Sequence, residues 1–179
     1  HRDTGAAGVR MIDGKGRYLP ESKRGFPTPF VAFCKAFGLS ALFPQSRIFN
    51  RYYLGHLDPE QNHEIDVLCG AFMFIRKKVL DEIGGLDERF FMYGEDIDLS
   101  YRIQQAGYKI VYLADTSIIH FKGESTKKSS TAYIRRFYQA MNIFAGKHFS
   151  RPGATFLGIL FSLAIYLRAA ITLVRTIYH

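Results

Sequence analysis

Phe90-Phe91-Met92-Tyr93-Gly94-Glu95-Asp96-Ile97-Asp98-Leu99-Ser100-Tyr101-Arg102 is the stretch on which the reading of this chain turns. Three acids within four positions follow a glycine, and Leu99, Ile103 and Ala106 continue at helical spacing, so the pattern predicts a loop that delivers carboxylates into the first turn of a helix. Unpaired backbone N–H groups at a helix start favour negative charge, so Glu95, Asp96 and Asp98 are expected to stay ionised at neutral pH. Gly107 is placed to end the helix. Acids also enrich the first turn of purely structural helices, so the spacing alone does not separate a site from a cap.

Working outward, Glu64 to Leu68 leads into Cys69-Gly70-Ala71-Phe72-Met73-Phe74-Ile75, a β-rich run in which Gly70 would let a ligand approach the backbone or would mark a bulge. Arg76 to Ile83 reads as a short helix closed by Gly84-Gly85. Beyond the acidic helix, Lys109 to Leu113 and Ser117 to Phe121 read as two strands joined by a turn at Ala114-Asp115-Thr116, with His120 and Ile118 on one face and Ile119 and Phe121 on the other.

The ordered set Gly70-Ala71-Phe72-Met73, Gly84-Gly85-Leu86-Asp87-Glu88-Arg89-Phe90-Phe91 and Gly94-Glu95-Asp96-Ile97-Asp98-Leu99 closely resembles the C-terminal half of the family 2 glycosyltransferases with the GT-A fold. The likeness runs over roughly residues 5–125 and is densest over 69–121. It implies an α/β architecture, a partial GT-A, Rossmann-like mixed sheet flanked by helices over residues 1–129; beyond the likeness, the residue pattern itself reads as an amphipathic packing helix at 130–150 and an apolar, basic helix at 151–179. The likeness also implies an inverting transfer of a sugar from a nucleotide-diphosphate-sugar donor to a saccharide or lipid-linked acceptor hydroxyl, in cell-surface polysaccharide or glycolipid synthesis. In that reading Asp96 is the base, Glu95 orients the acceptor, and Gly70 and Ala71 line the donor pocket. Tyr93, Arg102, Lys122 and Ser125 join the substrate site, and His120 ligates a Mn²⁺ or Mg²⁺ ion bound with the donor. The spacing gives Asp98 a different task, bracing the helix start or pairing with Arg102 at i+4.

Elsewhere the chain is read from its own chemistry. Gly8 to Met11 forms a short strand ending in the Asp13-Gly14 turn, with Arg17-Tyr18-Leu19 returning as its partner. Pro20, Pro27 and Pro29 call for an extended connection. Phe30 to Phe43 reads as one buried or interface helix with Phe30, Phe33, Ala36 and Phe37 on a face, and residues 44–63 form a polar, aromatic insert of the kind that family members carry on the acceptor side. Thr131 onward carries a stripe of Ile134, Phe137, Tyr138, Met141, Phe144 and Ala145, punctuated by Gly146 and Pro152.

Composition bounds the partners. With 179 residues, 47% hydrophobic and 22% charged, the chain can bury a core, and its +8 formal charge favours an anionic partner or surface. No zinc-finger spacing or RNA-binding signature is present, so nucleic acid is not expected. Cys34 and Cys69 are too far apart in sequence for a framework and suit a reducing compartment. Residues 1–20 carry no apolar run, so no secretory signal is expected, and the family's nucleotide-binding Asp-x-Asp segment would lie upstream of His1. In residues 153–179, thirteen uncharged positions from Thr155 to Leu167 precede Arg168 and Arg175. That is short of the roughly 20 needed to span a bilayer, so a peripheral helix on the inner face of the plasma membrane is expected, or packing on the domain or in a homodimer. The competing reading is a catalytically inactive truncated transferase that serves as a membrane-associated interaction module.

Overall fold

The structure, a computed structural model, describes residues 3–121, 131–148 and 163. Its centre is a four-stranded mixed sheet in the order β2-β4-β1-β3, built from β1 (Thr4–Ile12), β2 (His63–Glu64), β3 (Phe74–Ile75) and β4 (Lys109–Ile119). The two long strands are parallel and central, while β2 and β3 pair antiparallel on the outer edges. Two parallel neighbours require a long crossover, and it is supplied by everything between Asp13 and Tyr108. That crossover holds α1 (Pro29–Ala36), α2 (Leu39–Leu42), α3 (Lys77–Ile83) and α4 (Glu95–Gln105). One core forms where Ala6, Ile110 and Tyr112 of the sheet meet Val79 of α3 and Leu99 and Ile103 of α4. This arrangement is the α/β mixed sheet flanked by helices that the sequence implied.

Several local expectations are corrected. The return strand at Arg17–Leu19 shrinks to a single bridge between Ile12 and Tyr18, because Asp13 Oδ1 accepts the N–H groups of both Lys15 and Arg17 and curls the backbone into a turn. The apolar segment after Pro29 is two helices, broken at Gly38 with φ +78°; its buried edge is Val31 and Cys34, whereas Phe30 and Phe37 face outward. The β-rich run of residues 64–75 contributes only two-residue strands, one to each edge of the sheet. The two strands expected after Tyr108 are one continuous β4. Its pairing with β1 jumps from Val9↔Leu113 to Arg10↔Ser117, so Ala114, Asp115 and Thr116 form a bulge rather than a turn. Asn62 stabilises that bulge, accepting from Ala114 N at 2.7 Å and donating to Asp115 at 3.2 Å.

The last described helix, α5 (Thr131–His148), runs through Gly146 instead of stopping there. Ala140 and Phe144 enter a second core cluster with Val67, Phe90 and Ile97. At its end, Lys147 and His148 reach the fully buried Asp98 carboxylate at 2.8 and 2.7 Å, and Arg102 Nε meets the same carboxylate at 2.9 Å, the pair expected from spacing. Burial alone would raise the Asp98 pKa; hydrogen bonds from Lys147, His148 and Arg102 outweigh it and hold the group below its ordinary value. Among the described residues no helix is long and apolar enough to cross a membrane; the expected helix at 151–179 lies outside them apart from Leu163.

Because the folded pKa of Asp98 is depressed, its stabilisation is present above the unfolded value of 3.8 and is lost as pH falls through the lower folded value. Asp98→Asn removes the common partner of Arg102, Lys147 and His148, and urea unfolding at neutral pH is expected to show a loss of about 3 kcal/mol. A loss under about 0.5 kcal/mol, the size of an ordinary surface change, would contradict this anchoring.

Candidate active site

The start of α4 is shaped by two consecutive residues in the left-handed region, Tyr93 at φ +70° and Gly94 at φ +88°. A Cβ at Gly94 would lie 3.1 Å from the Phe90 ring and 3.2 Å from Ala140, so glycine is required there by both conformation and space. For tyrosine that conformation costs on the order of 1 kcal/mol, and it persists because the half-buried side chain packs against the cluster of Val67, Phe90 and Ile97. This turn swings Glu95, Asp96 and Asp98 into successive positions of the first helical turn.

The three acids go to different places. Asp98 faces α5, as described. Asp96 points the other way, where its Oδ2 accepts from Arg24 Nη2 at 2.5 Å and from Gly70 N at 3.1 Å, while Oδ1 accepts from Ile97 N at 2.8 Å. Arg24 is itself buried, and the same Nη2 donates to the Leu68 carbonyl, so one guanidinium fixes both the loop before Gly70 and the acid. Burial works against the Arg24 charge, but Asp96, with Tyr52 and Cys69, outweighs it and holds the guanidinium firmly protonated. Ser100 completes the link: it donates to the Asp96 carbonyl at 2.6 Å and accepts from Leu68 N at 3.1 Å.

Glu95 departs from the expectation that all three acids are readily ionised. Its Oε2 is buried without a hydrogen-bond partner, and burial, reinforced by the neighbouring Asp96 charge, raises its pKa. Two adjacent carboxylates therefore sit in opposed environments, one in a cradle of cation and N–H donors and one desolvated, which is how a site divides acid and base roles. Gly70 and Ala71 are exposed in the turn from Cys69 to Phe72 directly beside them. A Cβ at Gly70 would stand 3.6 Å from Glu95 Oε1 and 3.7 Å from Asp96 Oδ2, filling the space before both acids.

The structure thus brings together Gly70, Ala71, Glu95 and Asp96, with Tyr93 forming the turn that aims them. Arg102 is drawn elsewhere: besides Asp98 it donates to the carbonyls of Ile83, Gly84 and Gly85 at the end of α3. His120 sits at the C-terminal end of β4 with its N–H on the Ile12 carbonyl at 2.8 Å, at the end of the parallel strand pair where α/β sheets bind ligands. Lys122 and Ser125 lie outside the described residues. Among the described residues no three His, Cys, Asp or Glu side chains gather as a metal site. Sequence reasoning missed Arg24, Ser100, Lys147 and His148. Arg24 stands 72 residues from Asp96, and no local pattern marks it.

The sequence pattern of the family described as "Glycosyltransferase like family 2" matches residues 42–141. The chain is 30% identical over 145 residues to the N-acetylglucosaminyl-diphospho-decaprenol L-rhamnosyltransferase of Mycobacterium tuberculosis, covering 80% of this chain and 46% of that protein. It is 27% identical over 99 residues to the rhamnosyltransferase WbbL of Escherichia coli, covering 51% of this chain and 38% of that one. Over 158 residues it is 28% identical to the low-salt glycan biosynthesis hexosyltransferase Agl10 of Haloferax volcanii, covering 86% and 46%. The chain therefore spans about half the length, or less, of these relatives. No solved structure matches.

The raised pKa of Glu95 has a measurable sign. A carboxyl whose folded pKa lies above its unfolded value of 4.5 favours folding below that pH, and the advantage disappears as pH rises through the folded pKa. Glu95→Gln is expected to unfold at a higher temperature than the parent at pH 7 and at nearly the same temperature below pH 4.5. A Glu95→Gln variant that is less stable at pH 7 would show the carboxylate to be satisfied and charged in place.

Proposed function

The chain belongs to family 2 of the glycosyltransferases, and on that footing we propose that it is the acceptor-side portion of an inverting enzyme. The enzyme moves a sugar from a nucleotide-diphosphate donor to an acceptor hydroxyl during glycan synthesis. The observation that carries the reading is the held Asp96 carboxylate beside the exposed Gly70-Ala71 turn. A carboxylate offers about four lone-pair sites. Arg24, Gly70 and Ile97 fill three, leaving one for the acceptor O–H.

In this mechanism Asp96 takes the hydroxyl proton as the acceptor oxygen attacks the anomeric carbon, and the bond to the donor diphosphate breaks on the opposite side. Arg24 keeps the carboxylate from turning away, and the half-buried Glu95 beside it orients the acceptor. Gly70 and Ala71, having little or no side chain, leave room for the donor sugar. A divalent ion at the diphosphate would neutralise leaving-group charge; His120 can offer it one nitrogen, and no step here is routed through it.

Two of the relatives are named for rhamnose transfer and one of them for a polyprenyl-diphosphate acceptor, which makes a rhamnosyl donor and a lipid-linked acceptor the first pair to try. A lipid-linked acceptor would suit a peripheral site on the inner face of the plasma membrane, a reading supported by the apolar and basic composition of residues 153–179. Transfer would be assayed across UDP-, dTDP- and GDP-sugars. Asp96→Asn is expected to lower kcat by about 10²–10⁴ with little change in donor affinity. Turnover at the parent rate would remove Asp96 from the reaction.

A further inference from the structure

The segment from α2 to the 3-10 turn at Arg51–Tyr53 is built to present apolar side chains to the outside. Leu42 is 71% exposed, Phe43 50% and Ile48 60%, and Arg47 is exposed between them. These residues do not sit on a loose loop. Ser46 Oγ accepts the N–H groups of Ile48 and Phe49 at 3.2 and 3.1 Å, and Asn50, buried at the base, donates to the Pro44 carbonyl at 2.6 Å. The Phe43 and Phe49 rings stack at 5.1 Å between centroids. Gly55 seals the base, since a Cβ there would come within 1.9 Å of the Pro44 carbonyl oxygen. A rigid loop that holds leucine, phenylalanine and isoleucine in water is not explained by folding.

Charge says what covers it. Residues 25–57 contain no aspartate or glutamate, whereas Lys35, Arg47 and Arg51 are all exposed within the same segment. Apolar tips flanked by cations and free of carboxylates suit the boundary between acyl chains and anionic headgroups. A second copy of a chain with net charge +8 and the same basic rim would be repelled. We propose that residues 42–51 are a membrane-docking surface that inserts Leu42, Phe43 and Ile48 into an anionic lipid surface while Arg47 and Arg51 pair with phosphates. This surface does not depend on the transfer reaction.

The chain contains no tryptophan, so Phe43→Trp places one reporter at the tip. Mixed with vesicles of equimolar phosphatidylcholine and phosphatidylglycerol, the full chain carrying Phe43→Trp is expected to show a blue-shifted emission that brominated acyl chains quench. The response should be much weaker with phosphatidylcholine alone. Adding Leu42→Asp and Ile48→Asp should weaken vesicle partitioning about tenfold or more. Co-sedimentation with vesicles while the indole stays water-exposed would place the lipid contact elsewhere and overturn the proposal, as would absence of binding. A concentration-dependent blue shift without lipid would mean self-association and overturn it equally. Ile48→Trp provides the same reading if Phe43→Trp fails to fold, which circular dichroism checks.

Discussion

A buried ion pair holds this site in one shape. Arg24 follows a 3-10 turn at Pro20–Ser22, Leu68 and Gly70 precede the β3 edge, and Asp96 opens α4; one guanidinium and one carboxylate bind all three segments together. Arg24 meets Val67 in a single antiparallel bridge and Asp96 lies in α4, but no strand pair or helix spans all three segments. Burying two charges is costly unless each is paired and hydrogen-bonded, so the pair tolerates only an arrangement in which the Gly70 loop, the helix start and Arg24 are all in place. Specificity of geometry is what the ion pair contributes, more than net stability.

Asp98 anchors the same helix in the opposite direction. Two residues beyond Asp96, it collects Arg102 from its own helix and Lys147 and His148 from α5. The first turn of α4 is therefore clamped on both sides, and the left-handed Tyr93-Gly94 entry is held at a strained geometry that an isolated helix would relax. Glu95 lies between the clamps with its Oε2 buried and without a hydrogen-bond partner. Burial, reinforced by the Asp96 charge, raises its pKa.

How much of this was legible in the sequence depends on the range of the interaction concerned. The acidic helix, its Gly94 start, its Gly107 end and the Asp98–Arg102 pair all arise from contacts within a few residues, and spacing reveals them. The bulge in β4 was read as a turn because Ala114-Asp115-Thr116 has turn composition; the Asn62 side chain that lets the strand continue lies more than fifty residues earlier. Phe30 and Phe37 were placed on one face of a buried or interface helix by periodicity, and helical spacing shows only that residues share a side, not which side is covered; both are exposed. Arg24 was hidden for the same reason, being one basic residue in a proline-rich stretch until the fold sets it against Asp96.

The measurement that tests this account most directly is a double-mutant cycle between Arg24 and Asp96, using Arg24→Met, Asp96→Asn and the double variant in urea unfolding at neutral pH. Each single variant leaves the other member buried without its partner, so the account predicts that the double variant is less destabilised than the sum of the two, with a coupling of about 2 kcal/mol. Effects that add to within about 0.5 kcal/mol would contradict it, because Arg24 and Asp96 would then be acting independently and the site would be held by something else.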